Sequence, residues 1–159
     1  MTIPQIAGLG DRLDEFFATL YPDHPPAALV ARLEQVLAPH VTATKNEELW
    51  DQSTALMITY GDSLYQPNTD NGPNPLQVLL TFLRERLQGV ISGVHILPFF
   101  PYSSDDGFAV IDYRQVNPQL GSWQDIEAIA KEFEVMADLV INHVSSESDW
   151  FRQFLAQEK

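Results

Sequence analysis

The sequence contains no cysteine, which excludes disulfide scaffolds, thiolate zinc sites and cysteine nucleophiles outright. Cations are scarce as well: 9 Lys and Arg stand against 22 Asp and Glu, a formal net charge of −13. Such a field repels phosphate backbones and anionic lipid, so neither nucleic acid nor a membrane is expected as a partner. No apolar run approaches the roughly 18–20 residues of a spanning helix. The N-terminus lacks the basic flank and apolar stretch of a signal peptide, and a cytoplasmic protein is the expectation. No G-x-S-x-G elbow is present. No two histidines have the spacing of metal ligands: His24 and His40 lie in the leading region, and His95 falls inside an apolar run. Chemistry is left to carboxylates, His, Tyr, Ser and Arg.

What is present is the composition of a folded domain, 159 residues of which 45% are hydrophobic and 19% charged. Residues 1 to about 50 read as helical. Leu13, Phe16, Phe17 and Leu20 are spaced for one apolar face, and Leu29, Leu33, Val36 and Leu37 repeat the pattern after the break at "PDHPP". Glu47, Glu48 and Asp51 lead into a different pattern. Residues 1–53 are therefore expected to form a helical N-terminal extension, and residues 54–159 a strand–helix repeat.

Three short apolar runs rich in β-branched and aromatic residues predict strands: "ALMITY" (55–60), "GVHILPF" (93–99) and "VMADLVINH" (135–143). Between them, "PLQVLLTFLRERL" (75–87) and "SWQDIEAIAKEF" (122–133) predict helices, the second opened by Ser122 and Asp125 as a capping-box variant. A further helix is expected from near Ser148 through "WFRQFL". The order βαβαβα predicts parallel strands with helical crossovers. Long polar and aromatic loops follow the strands, whereas the returns from helix to strand are short. In parallel α/β folds that asymmetry marks the functional face.

The third run raises a chemical question, because "ADLVINHVSSES" (137–148) carries Asp138 inside it and ends on Asn142 and His143. Strand alternation puts Asp138, Val140 and Asn142 on one face, suited to a barrel interior near its rim. Leu139 and Ile141 fall on the other, suited to a helix layer. His143 is then free to point along the rim, although a lone histidine is more often simply hydrogen-bonded at a strand end. The loop "SSDDGFAVIDY" gathers Asp105, Asp106 and Asp112 around Gly107, interleaved with Tyr102, Phe108 and Tyr113. Carboxylates beside rings suit a neutral polyhydroxylated ligand. Asx turns on a solvated surface explain the same residues equally well. A calcium site built from the three aspartates is conceivable, but their spacing is not that of an EF-hand loop.

"DLVINH" (138–143) resembles the first conserved region of the α-amylase superfamily, at the end of barrel strand 3. "GVHILPFFPYSSDDGF" (93–108) with "IDYRQVNPQLGSW" (111–123) resembles the sucrose phosphorylase group within it, which includes glucosylglycerate phosphorylases. The likeness runs from about Thr54 to the C-terminus. It implies an α/β fold: the N-terminal portion, about three βα units, of a (β/α)8 TIM barrel, preceded by the helical extension. It also implies a parent enzyme that moves α-glucosyl from sucrose or glucosylglycerate to inorganic phosphate, giving α-glucose 1-phosphate without a cofactor or metal. By the same resemblance Asp105 and His143 bind hydroxyls of the donor glucose, and Phe108 lines the pocket. Asp138 and Asn142 hold the rim, the Asn position being a calcium ligand in true amylases.

Retaining chemistry on glycosides uses two carboxylates about 5–5.5 Å apart. In this family they stand at the ends of strands 4 and 5, so no catalytic residue is expected within these 159 residues and the chain alone is expected to be inactive. The extension before strand 1 is a feature of glucosylglycerate phosphorylase-like members and tilts the expectation toward them. The alternatives are a sucrose- or oligosaccharide-acting hydrolase or transglucosidase of the superfamily, or a non-catalytic carbohydrate-binding remnant.

Overall fold

A computed structural model describes residues 9–39, 50–67 and 72–157. The helical reading of 1–8 and 40–49, with His40, Glu47 and Glu48, lies outside the described residues. The chain divides into two compact units, Met1–Leu49 and Trp50–Lys159.

In the first unit, α1 (Leu9–Leu20) packs on α2 (Pro26–Leu37). Pro26 stands at the first helical turn of α2, where its missing N–H costs nothing and its fixed φ already suits a helix. The predicted stripe is only partly used. Leu13, Phe17, Leu29 and Leu33 are half-buried, while Phe16, Leu20 and Val36 are exposed.

The second unit is built on a three-stranded sheet in the order β1 (Leu56–Thr59), β2 (Gly93–Ile96), β3 (Glu134–Ala137), every pair parallel. Two crossovers carry α3 (Pro75–Phe82), which runs on as a π-helical turn over Leu83–Leu87, and α4 (Trp123–Ala130). The last helix is α5 (Asp149–Leu155), capped by the Ser148 hydroxyl, which accepts from the Phe151 N–H at 3.2 Å. Leu76, Leu79, Leu80 and Leu83 recur at the spacing of one helical face and are all buried. They meet Ile126, Ile129 and Phe133 from the α4 side, and Val94 and Ile96 from β2, in one hydrophobic core.

Both helix starts meet at one carboxylate. Asn74 caps α3, its side chain accepting from the Gln77 N–H at 3.0 Å. Asp125, at the third position of α4, accepts from the Ser122 N–H (2.8 Å) and hydroxyl (2.7 Å), from the Asn74 amide (3.1 Å) and from the Gln77 amide (2.9 Å). The pairing of Ser122 with Asp125 read from the sequence is thus present, and it ties α3 to α4 as well.

The third strand differs from its expected span. It stops at Ala137 rather than reaching His143, and the alternation proposed for 138–143 is inverted on the apolar side. Val140 joins the core at 5% exposure, whereas Leu139 and Ile141 are 80% and 77% exposed instead of facing a helix layer. The cause lies in the neighbour. Pro98 has no N–H to offer a ladder, so β2 ends and the segment beyond Ala137 has no strand to pair with.

Candidate functional site

The loops leaving the C-terminal ends of the strands collect the residues singled out above. In the loop after β2, Tyr102 and Val110 form an antiparallel bridge that closes a tight lobe. At its tip Asp105 (φ 60°), Asp106 (φ 48°) and Gly107 (φ 102°) follow one another with positive φ. Aspartate tolerates this region better than most side chains, but two in succession store backbone strain. Gly107 is required where it stands: a Cβ there would lie 2.8 Å from the Pro98 carbonyl oxygen.

The lobe is fastened to the segment after β3 by a row of hydrogen bonds. Ser145 N–H donates to the Val110 carbonyl at 2.9 Å, and the Ser103 and Ser145 hydroxyls pair at 2.6 Å. His143 Nε2 lies 3.0 Å from the Phe108 carbonyl oxygen. A carbonyl can only accept, so Nε2 carries the proton of this bond. The Phe108 N–H in turn donates to the Asp105 carbonyl at 2.9 Å. His143, 35 positions further along the chain, is therefore joined through the Phe108 backbone to the turn that begins at Asp105.

Tyr113 completes the fastening. Its hydroxyl donates to the Val140 carbonyl and lies 3.4 Å from that of His143. Its ring sits between Phe100 (5.5 Å between centroids) and Trp150 (5.8 Å). Burial pushes the Tyr113 phenol above its ordinary value, so it stays a donor. Next to it, hydrogen bonds from Arg114 hold the Asp112 carboxyl below the usual aspartate range, the guanidinium Nε approaching to 2.9 Å. Asp112 is thus committed to Arg114 and does not join Asp105 and Asp106.

Asp138 belongs to a different neighbourhood, where its carboxylate meets His95 Nε2 at 2.9 Å. Sequence reasoning set His95 aside as a mid-strand residue. The register reveals its role: His95 pairs with Met136, and Asp138 lies two residues further along the chain. Asn142 is exposed, and among the described residues its side chain makes no hydrogen bond. Tyr113, Ser103 and Ser145 were also missed as fastening residues. Their hydroxyls act across separations of 27 to 42 positions, which no local pattern displays.

Beside the lobe, between the ends of β1 and β2, an open cleft of about 520 Å³ is lined by Tyr60, Asp62, Tyr102, Asp106, Asn117 and Gln119 among others. Rings and acceptors of this kind suit a polyhydroxylated ligand. Among the described residues no three His, Asp or Glu side chains are grouped to hold a metal ion.

Parallel strands with helical crossovers, and polar loops massed at their C-terminal ends, are the elements with which a (β/α)8 barrel begins. Residues 85–159 match the catalytic domain of α-amylase, and the chain belongs to that superfamily. More closely, it is homologous to the N-terminal part of the glucosylglycerate and sucrose phosphorylases. The glucosylglycerate phosphorylase of Allomeiothermus silvanus is 49% identical over 144 residues, covering 91% of this chain and 25% of that protein. The sucrose phosphorylase of Agrobacterium vitis is 44% identical over 108 residues, 67% of this chain and 21% of that protein. Among solved structures, sucrose 6F-phosphate phosphorylase from Thermoanaerobacter thermosaccharolyticum superposes with a TM-score of 0.58 at 41% identity, over 67% of this chain and 20% of that one. The chain spans about a quarter of the length of the first of these relatives.

Proposed function

We propose that this chain forms the donor-sugar side of a retaining α-glucoside phosphorylase, which transfers glucosyl from glucosylglycerate, used at least as well as sucrose, to inorganic phosphate. In this reading the Asp105 carboxylate accepts hydroxyl protons of the glucose, the His143 ring makes a further bond to it, and Phe108 lines the donor subsite; the cleft of about 520 Å³ beside it is lined by Asp106 and by none of these three. Asp138, paired with His95, and Asn142 shape the rim. The observation that carries this reading is the single hydrogen-bonded series joining Asp105, Phe108 and His143 at the strand ends. The preference for glucosylglycerate rests on the Allomeiothermus silvanus match, whose 144 residues must include part of the first unit. In the proposed reaction a carboxylate supplied by a later barrel strand attacks the anomeric carbon. Phosphate then intercepts the glucosyl ester to give α-glucose 1-phosphate. The chain by itself binds and does not turn over substrate.

The test is a chimera in which this chain replaces the matching residues of the Allomeiothermus silvanus enzyme. It should release α-glucose 1-phosphate from glucosylglycerate only when phosphate is supplied. Asp105→Ala and His143→Ala should each lower kcat/KM by roughly 10- to 100-fold, the loss of a charge-assisted or well-aligned bond to sugar. Unchanged kcat/KM in either variant removes that residue from the site. Free glucose released equally with and without phosphate would make the parent a hydrolase.

A further inference from the structure

The segment 138–143 has left the sheet, so its carbonyls have no ladder partner and its side chains no strand to fix their direction. Val140 is nonetheless buried, and a buried carbonyl without a donor is costly. The donor is the Tyr113 hydroxyl, which bonds the Val140 carbonyl and reaches toward that of His143, bracketing the turn that carries the His143 side chain. The phenol is itself fixed, because its ring is held between Phe100 and Trp150. The phenol thus anchors the Val140 end of the stretch 140–143 by its one proton and stands 3.4 Å from the His143 carbonyl at the other end.

We infer that Tyr113 is a positioning residue: its hydroxyl holds the 140–143 backbone so that His143 Nε2–H stays on the Phe108 carbonyl and the remaining ring nitrogen, Nδ1, is presented to the ligand. This rests on the reading of His143 as a sugar-binding residue, but the hydrogen bonds that motivate it do not. Nothing covalent is required of Tyr113. It sets where a neighbouring ring stands and which of its nitrogens bears the proton. Other ties between the loops do not do this, because the Ser103–Ser145 pair lies beyond His143 and bonds neither its ring nor its carbonyl.

Tyr113→Phe removes the hydroxyl and keeps the ring in its aromatic packing; Ser103→Ala cuts the neighbouring tie as a control. In the ¹⁵N-histidine-labelled chain, His143 should show the Nε2-protonated form in the parent and in Ser103→Ala, and an averaged pair of tautomers in Tyr113→Phe. In the chimera described above, Tyr113→Phe should lower kcat/KM about tenfold, the equivalent of one hydrogen bond, while Ser103→Ala stays within twofold. A His143 tautomer and a kcat/KM both unmoved by Tyr113→Phe would overturn the inference. So would an equal response to Ser103→Ala, since general loosening of the loops would then suffice. If the His143 tautomer responds to Tyr113→Phe but His143→Ala leaves the chimera's kcat/KM unchanged, the positioning stands and the sugar-binding reading falls.

Discussion

The two faces of the one sheet differ sharply although the same twelve residues make both. On the helix side the cross-strand rows are Met57, Val94, Val135 and then Thr59, Ile96, Ala137, with Val94 and Ile96 wholly buried. On the other side a row of Ile58, His95 and Met136 crosses the strands, and Ile58 and Met136 are 65% and 47% exposed. Beyond the ladder Leu139 and Ile141 are exposed as well. The β-branched and apolar composition of both faces is that of a parallel sheet meant to be covered twice. Packing and the candidate site are therefore separated in space: the closed face supplies the packing, and the loops at the strand ends carry the candidate site residues.

The largest effect should come from the closed face. Ile129→Ala, at a wholly buried position, is expected to cost about 3 kcal/mol through lost contacts and a residual cavity. Ile58→Ala on the open face should stay within about 0.5 kcal/mol. Urea melts of the second unit's signal measure both, and equal losses would erase the distinction between the faces.

Next comes the carboxylate that joins α3 to α4. Burial works against the charge of Asp125, but bonds from Ser122, Gln77 and Asn74 outweigh it and leave the group below its ordinary value of 3.8. A lowered folded value means that ionised Asp125 adds stability above about pH 4, and that this contribution disappears as the pH falls through the folded value. Asp125→Asn should cost about 1–2 kcal/mol at pH 7. The parent and the variant should converge as the pH falls through the folded value, as read from melting temperatures across the acid range. A constant gap at all pH values would assign the bonds no dependence on charge.

The smallest expected effect is on association. Exposed apolar surface on a sheet whose outer strands, among the described residues, pair on one side only favours association of copies. The double substitution Ile58→Lys and Met136→Lys should weaken self-association of the 159-residue chain about tenfold in sedimentation velocity, with the helix-side packing unaltered. Association unchanged by these charges would show that another surface is responsible.

Much of this arrangement was legible in the sequence. The leucines of α3 announce their helix by spacing, and Ser122 with Asp125 announces the start of α4. The three apolar runs give the strands in order, each shorter than its run and each ending before it. The run 135–143 misled because its residue types favour a strand, whereas pairing depends on a neighbour that Pro98 ends. Asp105, Phe108 and His143 were singled out by motif. Their connection through the Phe108 carbonyl was not, because a backbone oxygen leaves no trace in a sequence. Nor was the pairing of His95 with Asp138, which needs a strand register to appear.

The sheet order β1-β2-β3 repeats the order in which the ribosome makes the strands. Each strand can therefore dock on the edge left by its predecessor as soon as the intervening helix has cleared the exit tunnel, with no wait for distant partners. The cost is that a growing edge is exposed for the whole of that interval. At roughly 5–20 residues per second, the next crossover of about forty residues takes several seconds to arrive. Nascent chains of this protein should accordingly be clients of ribosome-bound chaperones at the stage when β3 has just been laid down.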